Sequence, residues 1–415
     1  MRILYLHPKA WTGEYPMLVK LRMMGEEVCA LEERRGLARG KRQLEDHYRE
    51  AGDGISTLWY DPRCGWERLL TWLPDRIFRR AFEGRNLVHR MWVIYEAIRH
   101  FKPDVLVCSD GFTYAIPAAF LKRLGLIQTR LVASYIGGDI LDCPEAGVGK
   151  RRTPMVTWLL RNSFPGIDVM RALCDSLERI LIREGADQSR IALLPIQLVV
   201  PMPVLDAIFA RRASVSASVR KRHGIAPDAP LVVSLSGNHK GKGLQDLAAA
   251  WAGIVAAVPG SCWLMCGPDD PWLAQGVWPV LRAAGLEHTV RFTGPMQGES
   301  VFEHLAAADL HVNPTLCEGL NMVTVEAAAV GTPTVTSDGA GISDWITQFE
   351  AGAVVPASDV PALRAAVIAA LQNRALRLTW QGRSRIMAGD FSLDRIGAAL
   401  LQLLRPPVPS ASSSQ

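Results

Sequence analysis

The sequence predicts two doubly wound α/β domains facing each other across a cleft, and three observations carry that prediction. At 415 residues the chain exceeds what one hydrophobic core usually organises. Continuous apolar runs such as DVLVC at 104–108 and CWLMC at 262–266 have the character of parallel strands covered on both faces. These runs alternate with longer segments of helical period, and the alternation lapses once, at 201–229, where Pro, Ser and Arg are frequent.

The elements follow in order. A strand is expected at 2–6, a helix at 14–24 and a short strand at 27–31. A long helical region covers 66–101 and should break near Pro74, because proline removes a backbone donor. Strand 104–108, helix 113–124 and strand 130–134 come next. Helix 153–163, strand 168–173, helix 176–184 and strand 190–194 complete a first domain over 1–205. Residues 206–229 form the expected linker. The alternation restarts at LVVSLS (231–236) with helix 243–257, strand 262–266, helix 271–284 and strand 289–294. Helix 299–307, strand 309–314, helix 319–330, strand 333–336, a short helix at 343–347 and strand 353–355 follow. The second domain covers 230–389 and includes helices at 359–372 and 374–387. The last helix, about 390–405, should pack back on the first domain, leaving PPVPSASSSQ at 406–415 as a disordered tail.

Composition narrows the class. With 49% hydrophobic and 21% charged residues, the chain is neither disordered nor collagen-like. The apolar opening at 3–6 ends at His7, Pro8 and Lys9, too early for a signal-peptide core, and the apolar stretch 247–258 is about half a membrane span. A cytoplasmic protein is expected. The eight cysteines (Cys29, Cys64, Cys108, Cys143, Cys174, Cys262, Cys266 and Cys317) include no C-x2-C pair. Most lie in apolar runs, so buried free thiols are expected in place of zinc ligands or disulfides. The net charge of +5 is uneven: residues 1–200 carry +6 and the remainder −1. Any attraction to an anionic surface belongs to the first half. No nucleic-acid partner is expected.

The most informative stretch is CEGLNMVTVEAAAVGTPTVTSD at 317–338. Glu318 and Gly319 end a loop after a strand, and Leu320 opens a helix whose free N–H groups and positive dipole end suit an anion. Glu326 lies two helical turns beyond Gly319 and projects from the same side, with Cβ tilted back toward the helix start. A diphosphate at 320–323 would leave Glu326 within reach of ribose hydroxyls. Glu318 could then accept hydrogen bonds from a hexose. Taken alone, the same two carboxylates could simply favour a helix N-terminus, each contributing about 0.3–1 kcal/mol.

The run EGLNMVTVEAAAVGTPTV resembles the E-x7-E signature of retaining family-4 glycosyltransferases of the GT-B fold, which pairs two Rossmann-like domains. LVVSLSGNHKGKGLQDLAAAW resembles that family's strand–glycine–Lys-Gly–helix segment. VRFTGPM and AADLHVNPTLCEG match its approach to the signature, and FKPDVLVCSD and YIGGDI fit its amino-terminal domain. The resemblance implies a nucleotide-diphosphate sugar as co-substrate with no obligatory metal and no cofactor. Glu326 would hold the ribose and Glu318 the donor sugar, while Asn321, Met322 and Val323 offer N–H groups to the diphosphate. Lys242 would neutralise the leaving phosphate. Gly13, Gly237 and Gly319 would let backbone approach the donor, and Asn238 stands in the same phosphate loop. Asp139, in Ile136-Gly137-Gly138-Asp139, would face the acceptor or reacting sugar.

Two departures stand out. Where the family has Gly-Arg, this chain has Gly237-Asn238, so either His239 or Lys240 supplies the cation or the phosphate site is weaker. Where it has His-Gly-x-Asp, this chain has Ile136 in place of histidine. Asp269-Asp270 follows a strand as a turn would and is not read as a metal pair. A GT-B glycoside phosphorylase, or a non-catalytic GT-B subunit that binds a nucleotide sugar, remains an alternative.

Region 58–101 holds Trp59, Trp66, Trp72 and Trp92 among Arg63, Arg68, Arg76, Arg79, Arg80, Arg85, Arg90 and Arg99. Leu69, Leu70, Leu73, Ile77 and Phe78 recur at helical spacing. A basic, tryptophan-bearing amphipathic helix suits peripheral contact with the inner face of a membrane, next to a sugar or lipid-linked acceptor. A core helix with a solvated arginine face would show the same pattern.

Overall fold

A computed structural model describes residues 1–7, 14–33, 55–60, 67–78, 87–149 and 153–406. In chain order its strands begin with β1 (Arg2–His7), β2 (Glu27–Glu33), β3 (Ser56–Tyr60), β4 (Val105–Cys108) and β5 (Arg130–Tyr135). The short β6 (Asp142–Cys143) and β7 (Val148–Gly149) precede β8 (Val169–Ala172) and β9 (Ile191–Leu193). The second half contributes β10 (Leu231–Leu235), β11 (Cys262–Cys266), β12 (Val290–Phe292), β13 (Leu310–Asn313), β14 (Thr334–Ser337) and β15 (Gly352–Val355).

The chain divides into two compact units. One comprises Met1–Asp142, Lys150–Val199 and Leu393–Gln415; the other comprises Cys143–Gly149 and Val200–Ser392. The described strands of the first unit form a parallel sheet in the order β3-β2-β1-β4-β5-β8-β9. Those of the second run β12-β11-β10-β13-β14-β15, also parallel. Each order reverses once, between β1 and β4 and between β10 and β13, which makes both sheets doubly wound.

Burial explains why these strands were readable. All five residues of β11 are buried, and Trp263 packs on Trp251 with ring centroids 5.6 Å apart. Each such side chain contributes roughly 1.5–3 kcal/mol when fully buried. In the first unit, Ile396, Leu400, Leu401 and Leu404 of helix Leu393–Leu404 join the core of Ile3, Tyr5, Val105 and Val132.

Four expectations are corrected. Residues expected as a linker at 206–229 form most of helix Met202–Ala210 and all of helix Arg212–Arg222, inside the second unit. Leu205, Ile208, Val215 and Val219 are their buried positions, a stripe too sparse to stand out among Ser and Arg. The helix Glu67–Phe78 runs through Pro74 without the expected break. Strand β3, which contains Trp59, is an unexpected element between the strand expected at 27–31 and the helical region expected from 66. The cysteine expectation holds for Cys29, Cys108, Cys174, Cys262 and Cys266, which are buried free thiols. It fails for Cys143 and Cys317, which are joined in a disulfide across 174 residues. Cys64 lies outside the described residues.

Candidate active site

In the second unit, the loops that follow β10 and β13 sit at the reversal of strand order, where open α/β sheets place ligands. After β10 the chain passes Gly237 and Asn238, makes a tight turn over Lys240–Lys242 and enters helix Leu244–Ala257. Asn238 is buried with φ of +56°. It accepts from Ser236 Oγ at 3.0 Å and donates from Nδ2 to Pro268 O at 3.0 Å, which ties this loop to the one after β11. Gly243 adopts φ of +67°, and a Cβ there would stand 1.8 Å from Pro314 O. Only glycine permits that approach.

After β13, Leu316 N and Thr315 Oγ1 each donate to Gly241 O at 2.8 Å. Glu318 N donates to Gly339 O at 2.9 Å. These bonds bring Lys242 and Glu318 together: Nζ lies 2.5 Å from Oε1, with both side chains mostly shielded. The other carboxylate oxygen, Glu318 Oε2, is buried and has no hydrogen-bond partner among the described residues.

Helix Met322–Ala329 begins at Asn321, which holds φ of +71° and accepts at Oδ1 from Thr324 N at 3.3 Å. Asn321 Nδ2 and Thr324 Oγ1 are also buried without partners among the described residues. Three orphaned polar atoms therefore surround one helix start beside a lysine. Buried polar atoms are ordinarily paired, so this concentration marks a place built for a polar ligand. Burial pushes the Glu326 carboxyl up to about 7. About one turn from the start of the helix, it is a shielded group that can hydrogen-bond in either protonation state.

Placement of the remaining candidates varies. Gly237 is exposed, with His239 Cδ2 3.3 Å from where its Cβ would stand. Gly319 is buried, while Met322 and Val323 are half-buried in the first turn. His239 accepts from Gly241 N at Nδ1, 3.2 Å, and burial followed by Lys242 lowers its pKa. Lys240 Nζ lies 5.5 Å from the Trp272 ring centroid. Asp270 accepts from Trp272 N at 2.8 Å, as a turn residue does. Gly13 lies outside the described residues.

In the first unit, Asp139 is 2% exposed. Its Oδ2 accepts from Gly111 N at 2.7 Å and its Oδ1 from Gly137 N at 2.9 Å, with Ile136 N at 3.1 Å. Burial and then Asp110 push its pKa up, while these three N–H groups oppose the shift. Both oxygens thus hold the loop 136–139 against the loop after β4.

Glu14, Asp110 and Arg171 were missed in the sequence. Glu14 and Asp110 follow the two strands at the first sheet's reversal, and Arg171 lies in β8. Burial pushes the Glu14 carboxyl up to about 7, opposed by a hydrogen bond from Tyr5 and by Arg171. Arg171 donates from Nε to Leu194 O at 2.8 Å. A signal existed: Glu14 directly follows Gly13 in the first strand–helix segment, the position corresponding to the Gly237–Lys242 loop of the second domain.

The membrane-candidate region divides in two. Helix Leu87–Phe101 buries Leu87, Val93, Ile94, Ala97 and Phe101, which is core packing. Helix Glu67–Phe78 instead exposes Trp72 (58%) and Leu73 (62%), with Arg76 over the Trp72 ring at 5.3 Å. On helix Pro154–Ser163, Met155 and Trp158 are also exposed. Trp66, Arg79 and Arg80 lie outside the described residues. Among the described residues no helix is long and apolar enough to cross a membrane.

Comparison with known proteins agrees with this architecture. Residues 229–373 match the model of glycosyl transferases group 1, and residues 19–197 match the glycosyl transferase 4-like domain. The chain is 25% identical over 386 residues to a putative colanic acid biosynthesis glycosyltransferase of Salmonella typhimurium, covering 90% of this chain and 87% of that protein. It is 28% identical over 306 residues to a GDP-mannose-dependent alpha-(1-6)-phosphatidylinositol monomannoside mannosyltransferase of Mycobacterium tuberculosis, covering 71% and 74%. Among solved structures, Anabaena Alr3699/HepE in complex with UDP superposes with a TM-score of 0.73 at 15% identity, covering 97% of this chain and 99% of that one. Sucrose-phosphate synthase of Thermosynechococcus elongatus gives 0.72 at 17% identity, covering 97% and 98%.

Proposed function

Because the chain belongs to the family-4 glycosyltransferases of the GT-B fold, we propose that it is a retaining enzyme moving a sugar from a nucleotide-diphosphate sugar to an acceptor. The acceptor is a sugar or a lipid-linked glycan, and the product belongs to glycan, polysaccharide or glycolipid biosynthesis. The observation that carries the reading is the cluster of orphaned polar atoms at Glu318, Asn321 and Thr324 beside Lys242. Relatives named for colanic acid and for a phosphatidylinositol mannoside support a polysaccharide or lipid-linked acceptor.

In this reading the diphosphate takes the start of helix Met322–Ala329, where backbone N–H groups and the helix dipole meet its charge. Lys242 turns from Glu318 toward the β-phosphate, so Glu318 is released to accept from the donor sugar's hydroxyls. Glu326 accepts from the ribose. The acceptor hydroxyl oxygen forms its bond to the anomeric carbon on the face the phosphate leaves, and its proton passes to the departing phosphate oxygen. Lys242 and the amide groups stabilise the charge that accumulates there, without an obligatory metal. Asp139 acts as a positioning residue, holding the first unit's loops in shape for the acceptor.

The exposed tryptophans and the basic first half support peripheral attachment to an anionic leaflet from the cytoplasmic side. Thermal-shift screening against nucleotide sugars identifies the donor, since a saturating ligand raises apparent stability. NMR of the product then reads the anomeric configuration. Retention of donor configuration supports the proposal; inversion, or binding without turnover over a broad acceptor panel, sinks it.

A further inference from the structure

The second unit carries another cavity, at the opposite edge of its sheet from the donor loops. Its volume is about 560 Å3, within the roughly 300–1,000 Å3 of ligand pockets. Asp309 and Pro333, which immediately precede β13 and β14, place it at the amino ends of the strands. Arg212, Arg374 and Arg377 all contribute to its wall.

The charge balance of this wall is unusual. Its one carboxylate, Asp309, is already held by Arg220 at 3.0 Å and by Leu231 N at 2.9 Å. Arg212 is anchored by neutral oxygens, donating to Ala306 O and Gly331 O at 2.7 Å, to Ala308 O at 2.6 Å and to Thr332 Oγ1 at 3.4 Å. Burial, and then Arg377 and Arg220, weaken its hold on its proton, while Asp309 opposes them. Arg377 donates from Nη1 to Ala370 O and Leu371 O, also carbonyls, and its Nη2 makes no hydrogen bond among the described residues. Arg374 is exposed and has no ion pair among the described residues. The three guanidinium groups of the wall thus have beside them a single carboxylate, which Arg220 already holds. Phe209, Ala213, Pro333 and Leu378 supply the apolar part of the lining.

We propose that this cavity is a second, non-donor site for a small phosphorylated molecule, its phosphate on Arg374 and Arg377 and its carbon body against Phe209 and Leu378. Guanidinium forks match phosphate oxygens in geometry, and a dianion supplies the charge the wall lacks. The cavity also adjoins the end of the signature helix. Gly331 O, two residues past Ala329, accepts from both Arg212 Nη1 and Gln381 Nε2. A Cβ on Gly331 would stand 2.4 Å from the Phe209 ring, so this corner has no slack.

The test is calorimetric titration of the full chain with glucose 6-phosphate, inorganic phosphate and, as a neutral control, glucose. Both phosphates should bind and glucose should not. Arg374→Glu, an exposed change that removes no bond, should weaken glucose 6-phosphate binding about tenfold or more, as loss of a charge-assisted contact does. Lys242→Ala, at the opposite edge of the sheet, should leave it unchanged. Arg377→Ala should act like Arg374→Glu, with a melting curve to show that the fold persists. Absence of binding, binding indifferent to Arg374, or binding abolished by Lys242→Ala overturns the proposal. Because none of these readouts depends on turnover, failure here leaves the glycosyltransferase reading standing, and the reverse also holds.

Discussion

Lys242 and Glu318 form an ion pair at 2.5 Å between two loops that the sequence separates by 76 residues. In the proposed reaction an incoming diphosphate competes for that lysine, and the pair would hold Lys242 at the site before the donor arrives. Lys242→Ala should lower turnover at saturating donor by about 10²–10³, with a smaller change in donor affinity. A full rate in that variant would make Lys242 an ordinary structural partner of Glu318. Glu326 allows a different measurement, because its carboxyl rises from an ordinary 4.5 to about 7 on burial. The folded form therefore holds a proton that the unfolded chain releases near pH 4.5. This contribution to stability is fully present below pH 4.5 and is lost as pH rises through 7. Denaturant titrations from pH 4.5 to 8 should show Glu326→Gln declining less steeply than the wild type; parallel curves would contradict the burial. Glu14, also raised to about 7, contributes the same slope to both proteins and cancels in the comparison.

At the scale of elements, the disulfide links β6 to the loop that carries Glu318. Between Cys143 and Gly149 the chain lies on the second unit, and Ala146 O is 2.9 Å from where a Cβ on Gly241 would stand. Cys143→Ser, or a thiol reductant, should lower stability by about 2–4 kcal/mol, the usual effect of losing a native disulfide. Peptide mapping without reductant should recover the segments bearing Cys143 and Cys317 as one linked species; two separate thiol peptides would refute the link. This bond was not legible in the sequence, because nothing local in DCPEAG or TLCEGL announces a partner 174 residues away. The strands were legible for the opposite reason. LVVSL and CWLMC are buried along almost their whole length, so apolarity alone reveals them. Helices Met202–Ala210 and Arg212–Arg222 were not, because proline opens the first and the second buries little besides Val215 and Val219. The candidate site shows the same division. Helix geometry links Glu318 to Glu326, whereas the meeting of Lys242 with Glu318 needs the adjacency of β10 and β13, which only the folded sheet supplies.

For the molecule as a whole, the positive charge falls in the half that also exposes Trp72, Trp92 and Trp158. Residues 1–200 carry a net charge of +6 against −1 for the rest. The helices Glu67–Phe78, Leu87–Phe101, Ala115–Arg123 and Pro154–Ser163 pack side by side in the first unit. The first of them exposes Trp72 and Leu73, and the last exposes Met155 and Trp158. Such a surface suits shallow insertion of aromatic rings while nearby arginines meet lipid phosphates, each contributing roughly 1 kcal/mol near an anionic leaflet. A few contacts of that size give weak, reversible binding that salt should screen. The full chain should therefore co-sediment with vesicles containing phosphatidylserine at low ionic strength and dissociate as salt is added. Trp72→Ser with Leu73→Ser should weaken binding at every salt concentration, since it removes the inserted groups. Arg76→Glu should weaken it chiefly at low salt, where electrostatics dominates. Neither change touches the second unit, so nucleotide-sugar binding measured on the same preparations should persist. No binding by the wild type at low salt, or equal binding to neutral and anionic vesicles, would refute a role for this basic surface and leave the exposed tryptophans to a soluble acceptor.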